Sequence, residues 1–208
     1  MKKSVLFGLG PLIFMWLASC AAPLIQSETF VASDDVPRAA ELKARAATEK
    51  QPVVKATMLR QRVVYVGTEV VRTKTGDEND DSRKSYLVIH YRYDDDTAIH
   101  SIVRPADGFV LEQREFPHLA TSLGRNEMKA ARALAMKAPR VRKELGKDVD
   151  RVDVEALVIR AADAKDPWFA RRVVRLLFRL GRDYRRSPIV VVDLTNNTVL
   201  VETEGNLQ

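Results

Sequence analysis

Twice along this chain an alanine-rich helical segment is followed by four short apolar strands, and that repeated order restricts the fold more than any other feature. In the first pass Ala39, Ala40, Leu42, Ala44, Ala46 and Ala47 lie among charges over residues 36–50, and Pro52 ends the helix. Strands are then expected at 62–72, 86–93, 99–103 and 109–113, where valine-rich or alternating apolar residues are bounded by turn residues. In the second pass Met128, Ala131, Leu134, Ala135 and Ala138 fall at helical spacing over 126–137. Pro139 opens a further helical turn over 141–145, closed by Gly146. Strands follow at 152–159, 172–180, 189–194 and 199–202. Each pass has a longer polar loop between its first two strands (75–83; 161–171) and ends in a tight hairpin, at 106–108 and 195–197. The expected fold class is α+β: two tandem units, 36–118 and 119–208, each a helix packed on one face of an antiparallel sheet of about four strands.

The first twenty residues set an expectation about location. Lys2 and Lys3 precede an apolar run from Val5 to Leu17, and then Leu17-Ala18-Ser19-Cys20. A basic start, roughly 7–15 apolar residues and small residues before a cut make a signal peptide. The run is shorter than the ~20 residues a membrane span needs, and Gly8, Gly10 and Pro11 interrupt it. Leu-Ala-Ser-Cys resembles the lipobox of bacterial lipoproteins. That resemblance implies removal of 1–19, acylation of Cys20, and an anchor in the bacterial envelope through the acyl chains. Two or three chains, at about 0.8 kcal/mol per buried methylene, hold permanently where one does not. An ordinary leader cut after Ala18 or Ala22, with Cys20 incidental, is the alternative. Ala21, rather than an aspartate, follows the cysteine, which by the same resemblance favours an outer membrane facing the periplasm. Residues 20–35 are small and polar and are expected to be a flexible tether.

Cys20 is the single cysteine of 208 residues, so no intrachain disulfide and no cysteine-based zinc site can form. Lys and Arg number 34 against 28 Asp and Glu; loss of Lys2 and Lys3 with the leader leaves 32 against 28. The excess is uneven, −2 over residues 20–123 and +6 over 124–208. Export argues against nucleic acid and for anionic lipid headgroups or an acidic protein partner.

Residues 127–202 resemble the small cystatin-like domains that precede the catalytic domain of copper amine oxidases. The likeness is carried by the helix Glu127-Met128-Lys129-Ala130-Ala131-Arg132-Ala133-Leu134 with its extension through Leu145-Gly146, by Arg171-Arg172-Val173-Val174-Arg175-Leu176-Leu177-Phe178, by Tyr184, and by Pro188 to Leu194. The first half is similar to those domains in outline, and also to the PepSY type of helix-then-sheet module. The matching domains of the oxidases are non-catalytic. None of Tyr65, Tyr86, Tyr91, Tyr93 and Tyr184 follows an asparagine, and His90, His100 and His118 form no His-x-His, so the oxidase chemistry does not carry over. The resemblance implies a binding or scaffold module with no cofactor. Regulation of an exported enzyme is the alternative.

Candidate sites are few. Arg171, Arg172, Arg175, Arg179, Arg182, Arg185 and Arg186, against Asp183 alone, form a possible surface for an anionic partner, or else the solvated face and edge of one strand. With a three-residue loop at 94–96, His90 lies opposite His100 as a metal pair. A two- or four-residue loop puts Tyr91 opposite His100 and turns the imidazoles to opposite faces. Asp77, Glu78, Asp80 and Asp81 lack the order of a calcium loop, and Asp94-Asp95-Asp96 reads as turn chemistry. Ser101, Ser122 and Ser187 sit in no nucleophile elbow, and phosphate-binding glycine loops are absent. No enzymatic activity is expected.

Overall fold

Valine-rich alternation in the first half builds one antiparallel sheet in chain order. Strands β2 (Val63–Arg72), β3 (Ser85–Arg92), β4 (Thr97–Arg104) and β5 (Phe109–Pro117) pair successively, and β1 (Thr29–Val31) adds to the free side of β2. The structure is a computed structural model that describes residues 29–31, 36–72 and 85–202. Cys20, the leader, most of the expected tether and the acidic loop with Asp77 to Asp81 lie outside the described residues. Residues 29–31 correct the tether expectation, because they bond to β2 with Phe30 opposite Val71.

Two helices precede this sheet where one was expected. Helix α1 (Arg38–Glu49) ends before Pro52, but the chain turns helical again as α2 (Pro52–Arg60). Proline at the first helical position costs nothing, since its missing N–H would be unpaired there anyway. Ala44 and Thr48 of α1 sit on the sheet beside Val70, Tyr86, Val88 and Val103.

The second half forms α3 (Arg125–Lys137), α4 (Pro139–Leu145) and a second antiparallel sheet. Its strands are β6 (Asp153–Ile159), β7 (Val173–Leu180), β8 (Asp183–Tyr184), β9 (Ile189–Asp193) and β10 (Thr198–Glu202). Their spatial order is β10-β9-β7-β6, with the two-residue β8 folded back on the end of β7. The chain is thus α+β, with two antiparallel sheets and four α-helices among the described residues.

The two sheets share a core. Strand β3 is buried along nearly its whole length, on both faces. Its even residues Tyr86 and Val88 meet α1, while Leu87, Ile89 and Tyr91 turn the other way. That second face packs with Ala131 and Ala135 of α3, Val141 and Leu145 of α4, and Val174, Leu176, Phe178, Val190 and Val192 of the second sheet. A strand covered on both faces reads as an almost unbroken apolar run, as β3 does. Complete burial of each such Leu or Phe contributes roughly 1.5–3 kcal/mol.

Gly124, just before α3, packs directly against the backbone of β2. A Cβ there would come to 2.5 Å of the Tyr65 carbonyl oxygen and 3.1 Å of the Val66 Cα, both backbone of β2. Its φ of −68° is open to alanine, and a Gly→Ala change at such a site ordinarily stabilises by ~0.4–1 kcal/mol. Gly124→Ala is expected to do the opposite, destabilising by about 1–3 kcal/mol as β2 and α3 are forced apart. Urea unfolding of the two proteins checks the sign.

Candidate functional site

Strand parity decides what the arginine-rich segment does. Val174, Leu176 and Phe178 point into the shared core, and Arg172 has the same parity. It is 1% exposed. Its inclusion in a surface for anionic partners is therefore corrected: the side chain is interior, and its charge is matched there. Nε and Nη2 form a fork to Oε1 and Oε2 of Glu127, each at 3.0 Å. Nη1 donates to the Thr121 carbonyl and hydroxyl at 3.0 Å, and Nη2 also donates to the Ser122 carbonyl. All five donors of the guanidinium are used, which is the condition under which a charge can be buried. The guanidinium carbon lies 4.5 Å from the centre of the Tyr91 ring.

Glu127 is equally occupied. It accepts the Tyr93 hydroxyl at 2.6 Å and the Gly124 N–H at 2.9 Å, the latter closing the first turn of its own helix. Burial raises the Tyr93 phenol well above its ordinary range, and the neighbouring Glu127 charge adds to this. The cluster therefore joins β7, the 121–124 connection, the start of α3 and the first sheet.

Asp96 makes a second junction. It sits in the left-handed region at φ 53°, buried in the turn after β3. Its carboxylate accepts from Tyr91 Oη at 2.5 Å, His118 Nδ1 at 2.8 Å and Arg160 Nη1 at 2.8 Å. Burial works against the charged form, but those bonds, led by Arg160, outweigh it and hold the carboxyl below its usual range. The aspartate turn is thus turn chemistry and an ion-pair anchor together.

Three more of the seven arginines are neutralised. Arg171 lies 3.5 Å from Asp193, Arg179 pairs with Asp153 at 3.2 Å and Glu155 at 3.1 Å, and Arg185 meets Asp148 at 2.7 Å. Arg175, Arg182 and Arg186 are exposed, with no carboxylate partner among the described residues. Arg175 occupies the middle of the outer face of the second sheet, with Leu157 of β6 and Val191 of β9 beside it and Leu200 of β10 next in the row. Leu157, Leu200 and Tyr184 are about half exposed, at 55%, 49% and 54%. This face thus presents half-exposed apolar side chains around Arg175, while Val173 and Val191 within it are buried.

The histidines do not come together. A four-residue turn at 93–96 puts Ile89, not Tyr91, opposite His100, and His90 opposite Ile99. Adjacent strand positions face opposite sides, so the metal-pair arrangement is ruled out by register. Among the described residues no three His, Cys, Asp or Glu side chains converge as metal ligands. His90 is fully buried beneath α1, with neither ring nitrogen hydrogen-bonded; its Nε2 is 3.6 Å from Glu49 Oε1, and its ring is edge-on to Tyr65 at 5.8 Å. Burial pushes its pKa down; Glu49 opposes this and Arg45 adds to it.

The sequence reading missed a group of exposed cations, of which Arg125 feels a neighbouring carboxylate, that of Glu41. Arg125, Lys129, Arg132 and Lys137 on α3, and Arg142, Lys143 and Lys147 beyond it, are exposed and have no ion pair among the described residues. Helical spacing of residues 125, 129 and 132 was the available signal, obscured by the denser arginine run after 170. Surface depressions are shallow, about 310 Å³ beside Arg132 and Arg142 and 380 Å³ beside Lys43 and Lys50. No helix among the described residues is long and apolar enough to cross a membrane. No family model matches this chain, and no curated protein matches it.

Two outcomes follow. Arg172→Met strands the Glu127 charge in the core and is expected to cost about 3–5 kcal/mol in urea unfolding, whereas Arg175→Met stays within ~0.5 kcal/mol. For His90 the folded pKa lies below the unfolded one, so its contribution is complete above the ordinary histidine range and is lost as pH falls through the folded value. His90→Phe, which removes two unpaired buried nitrogens, is expected to fold and to flatten the fall in urea midpoint between about pH 7 and 5. An unchanged slope contradicts the assignment.

Proposed function

We propose that this chain is a lipid-anchored, non-catalytic binding or scaffold protein of the bacterial envelope, built of two tandem cystatin-like units. The observation that carries the binding role is the open outer face of the second sheet. There Leu157, Leu177, Ile189, Leu200 and Tyr184 surround Arg175, a free cation. An apolar surface with Arg175 at its middle, and Glu202 at its edge opposite Ile189, suits a partner that brings apolar side chains and a carboxylate for Arg175. Two copies meeting face to face on a two-fold axis would bring Arg175 towards Arg175, which disfavours self-association. An exported enzyme whose regulation depends on this face is the second form of the same reading.

Each half contains the helix-then-antiparallel-sheet order, α1 with β2–β5 and α3 with β6–β10, which supports the tandem description. It is modified by β1, by α2 and by the shared core. The anchor rests on Leu17-Ala18-Ser19-Cys20. Two acyl chains suffice for permanent attachment, and Ala21 after the cysteine, by resemblance to the lipoproteins of Gram-negative cells, favours an outer membrane facing the periplasm where the cell has one.

Cys20→Ala is expected to abolish incorporation of an alkyne-labelled fatty acid in a bacterial host and to leave the precursor uncleaved or the protein released. Labelling that survives the substitution contradicts the anchor. For the face, Leu157→Asp with Arg175→Glu is expected to abolish capture of whichever protein the parent holds, without changing the urea midpoint by more than ~1 kcal/mol equivalent.

A further inference from the structure

We infer that the α3–α4 surface is a second membrane contact, a basic helical face that rests on anionic lipid headgroups. The placement begins with helical geometry. Glu127, Ala131 and Ala135 are the buried residues of α3, so Arg125, Lys129 and Arg132, spaced by four and three, line its solvent side. Met136 continues that row to a shallow depression shared with Arg142, Val149 and Asp150. Arg140, Arg142 and Lys143 on α4, then Lys147 and Arg151, extend the exposed charge. Residues 125–151 hold nine basic side chains against four acidic ones. Of those four, Glu127 is spent on Arg172, and Asp148 lies between Arg185 at 2.7 Å and Arg151 at 3.5 Å. Glu144 and Asp150 remain.

The occupant follows from what accompanies the charge. A stable protein interface is organised around buried aromatic or aliphatic anchors. The large exposed apolar side chains lie elsewhere, at Leu42, Val53, Met58, Leu59, Phe109, Leu111, Leu119, Leu157, Tyr184 and Leu200, with none in 125–151. A discrete anion would need convergent donors in a cleft, and the depression here is shallow. Cations spread along ~20 Å of helix, with only a shallow depression and no large exposed apolar side chain among them, match a plane of many anions. This shares with the proposed function only the presence of a membrane, and it does not require acylation of Cys20.

The test uses the full chain and two kinds of vesicle, pure phosphatidylcholine and phosphatidylcholine with about a third phosphatidylglycerol. The ratio of partition between them cancels the contribution of uncharged acyl chains; the leader, with Lys2 and Lys3, does not cancel, so the parent and every variant are compared with the same N-terminus. The parent is expected to favour anionic vesicles, and to lose that preference in high salt. Lys129→Glu with Arg132→Glu and Arg142→Glu is expected to lower the ratio by more than ~100-fold, since loss of the three cations alone accounts for about fivefold each and the new carboxylates add repulsion. The corresponding glutamine variant, checked by circular dichroism, guards against misfolding and should fall in the same direction. Arg175→Gln, on the opposite face of the second sheet, should leave the ratio unchanged. The inference is overturned if the parent shows no anionic preference, if the triple variants match it, or if Arg175→Gln reproduces the loss. Tighter binding of a polyglutamate peptide than of anionic vesicles would also overturn it, assigning the face to an acidic protein.

Discussion

One buried ion pair organises this protein. Arg172 places five donors on Glu127, Thr121 and Ser122, and Glu127 in turn holds Tyr93 and the first turn of α3. Removing two charges from water costs several kcal/mol each unless every partner is present. The pair therefore tolerates only the arrangement in which β7, the 121–124 connection and the β3 turn come together. It adds specificity of assembly to a core whose apolar residues would accept several packings. Whether it also adds net stability is a separate matter, since a well-packed apolar replacement of both partners can match a buried pair.

The surfaces follow from that assembly. With the inner faces of both sheets committed to one core, the outer face of the first sheet takes α1 and that of the second stays open. Asp96 with Arg160, and Arg62 donating to the Thr195 carbonyl at 3.2 Å, tie the same two halves at other points. Most of the arginine-rich strand and its following loop is consumed by carboxylates in this process. What charge is left for partners lies at Arg175, Arg182 and Arg186 and, in greater number, along α3 and α4.

Much of the fold was legible because it depends on local periodicity. The eight expected strands and the three expected helical segments form within a few residues of their anticipated ends. The burial of Arg172 was also present as parity, since 172 shares the face of 174 and 176, but a run of arginines reads as a solvated edge unless its partner is known. Glu127 gave half of that signal, lying on the Ala131 face of its helix. Long-range facts were not legible: the pairing of β1 with β2, the common core, and a hairpin register that puts Ile89 rather than His90 or Tyr91 opposite His100. These depend on which faces meet, and no local spacing records that. The restart of the helix at Pro52 was missed because proline both ends helices and opens them.

That the halves are one folding body is most directly tested by producing residues 119–208 alone. In isolation Arg172 and Glu127 lose Tyr91 and Tyr93, and Val174, Leu176 and Phe178 lose the face of β3. The expected result is a fragment without a cooperative urea transition, which gains one when residues 20–118 are added. A fragment that unfolds cooperatively by itself, with the midpoint of the whole chain, would contradict the shared core and restore two independent units.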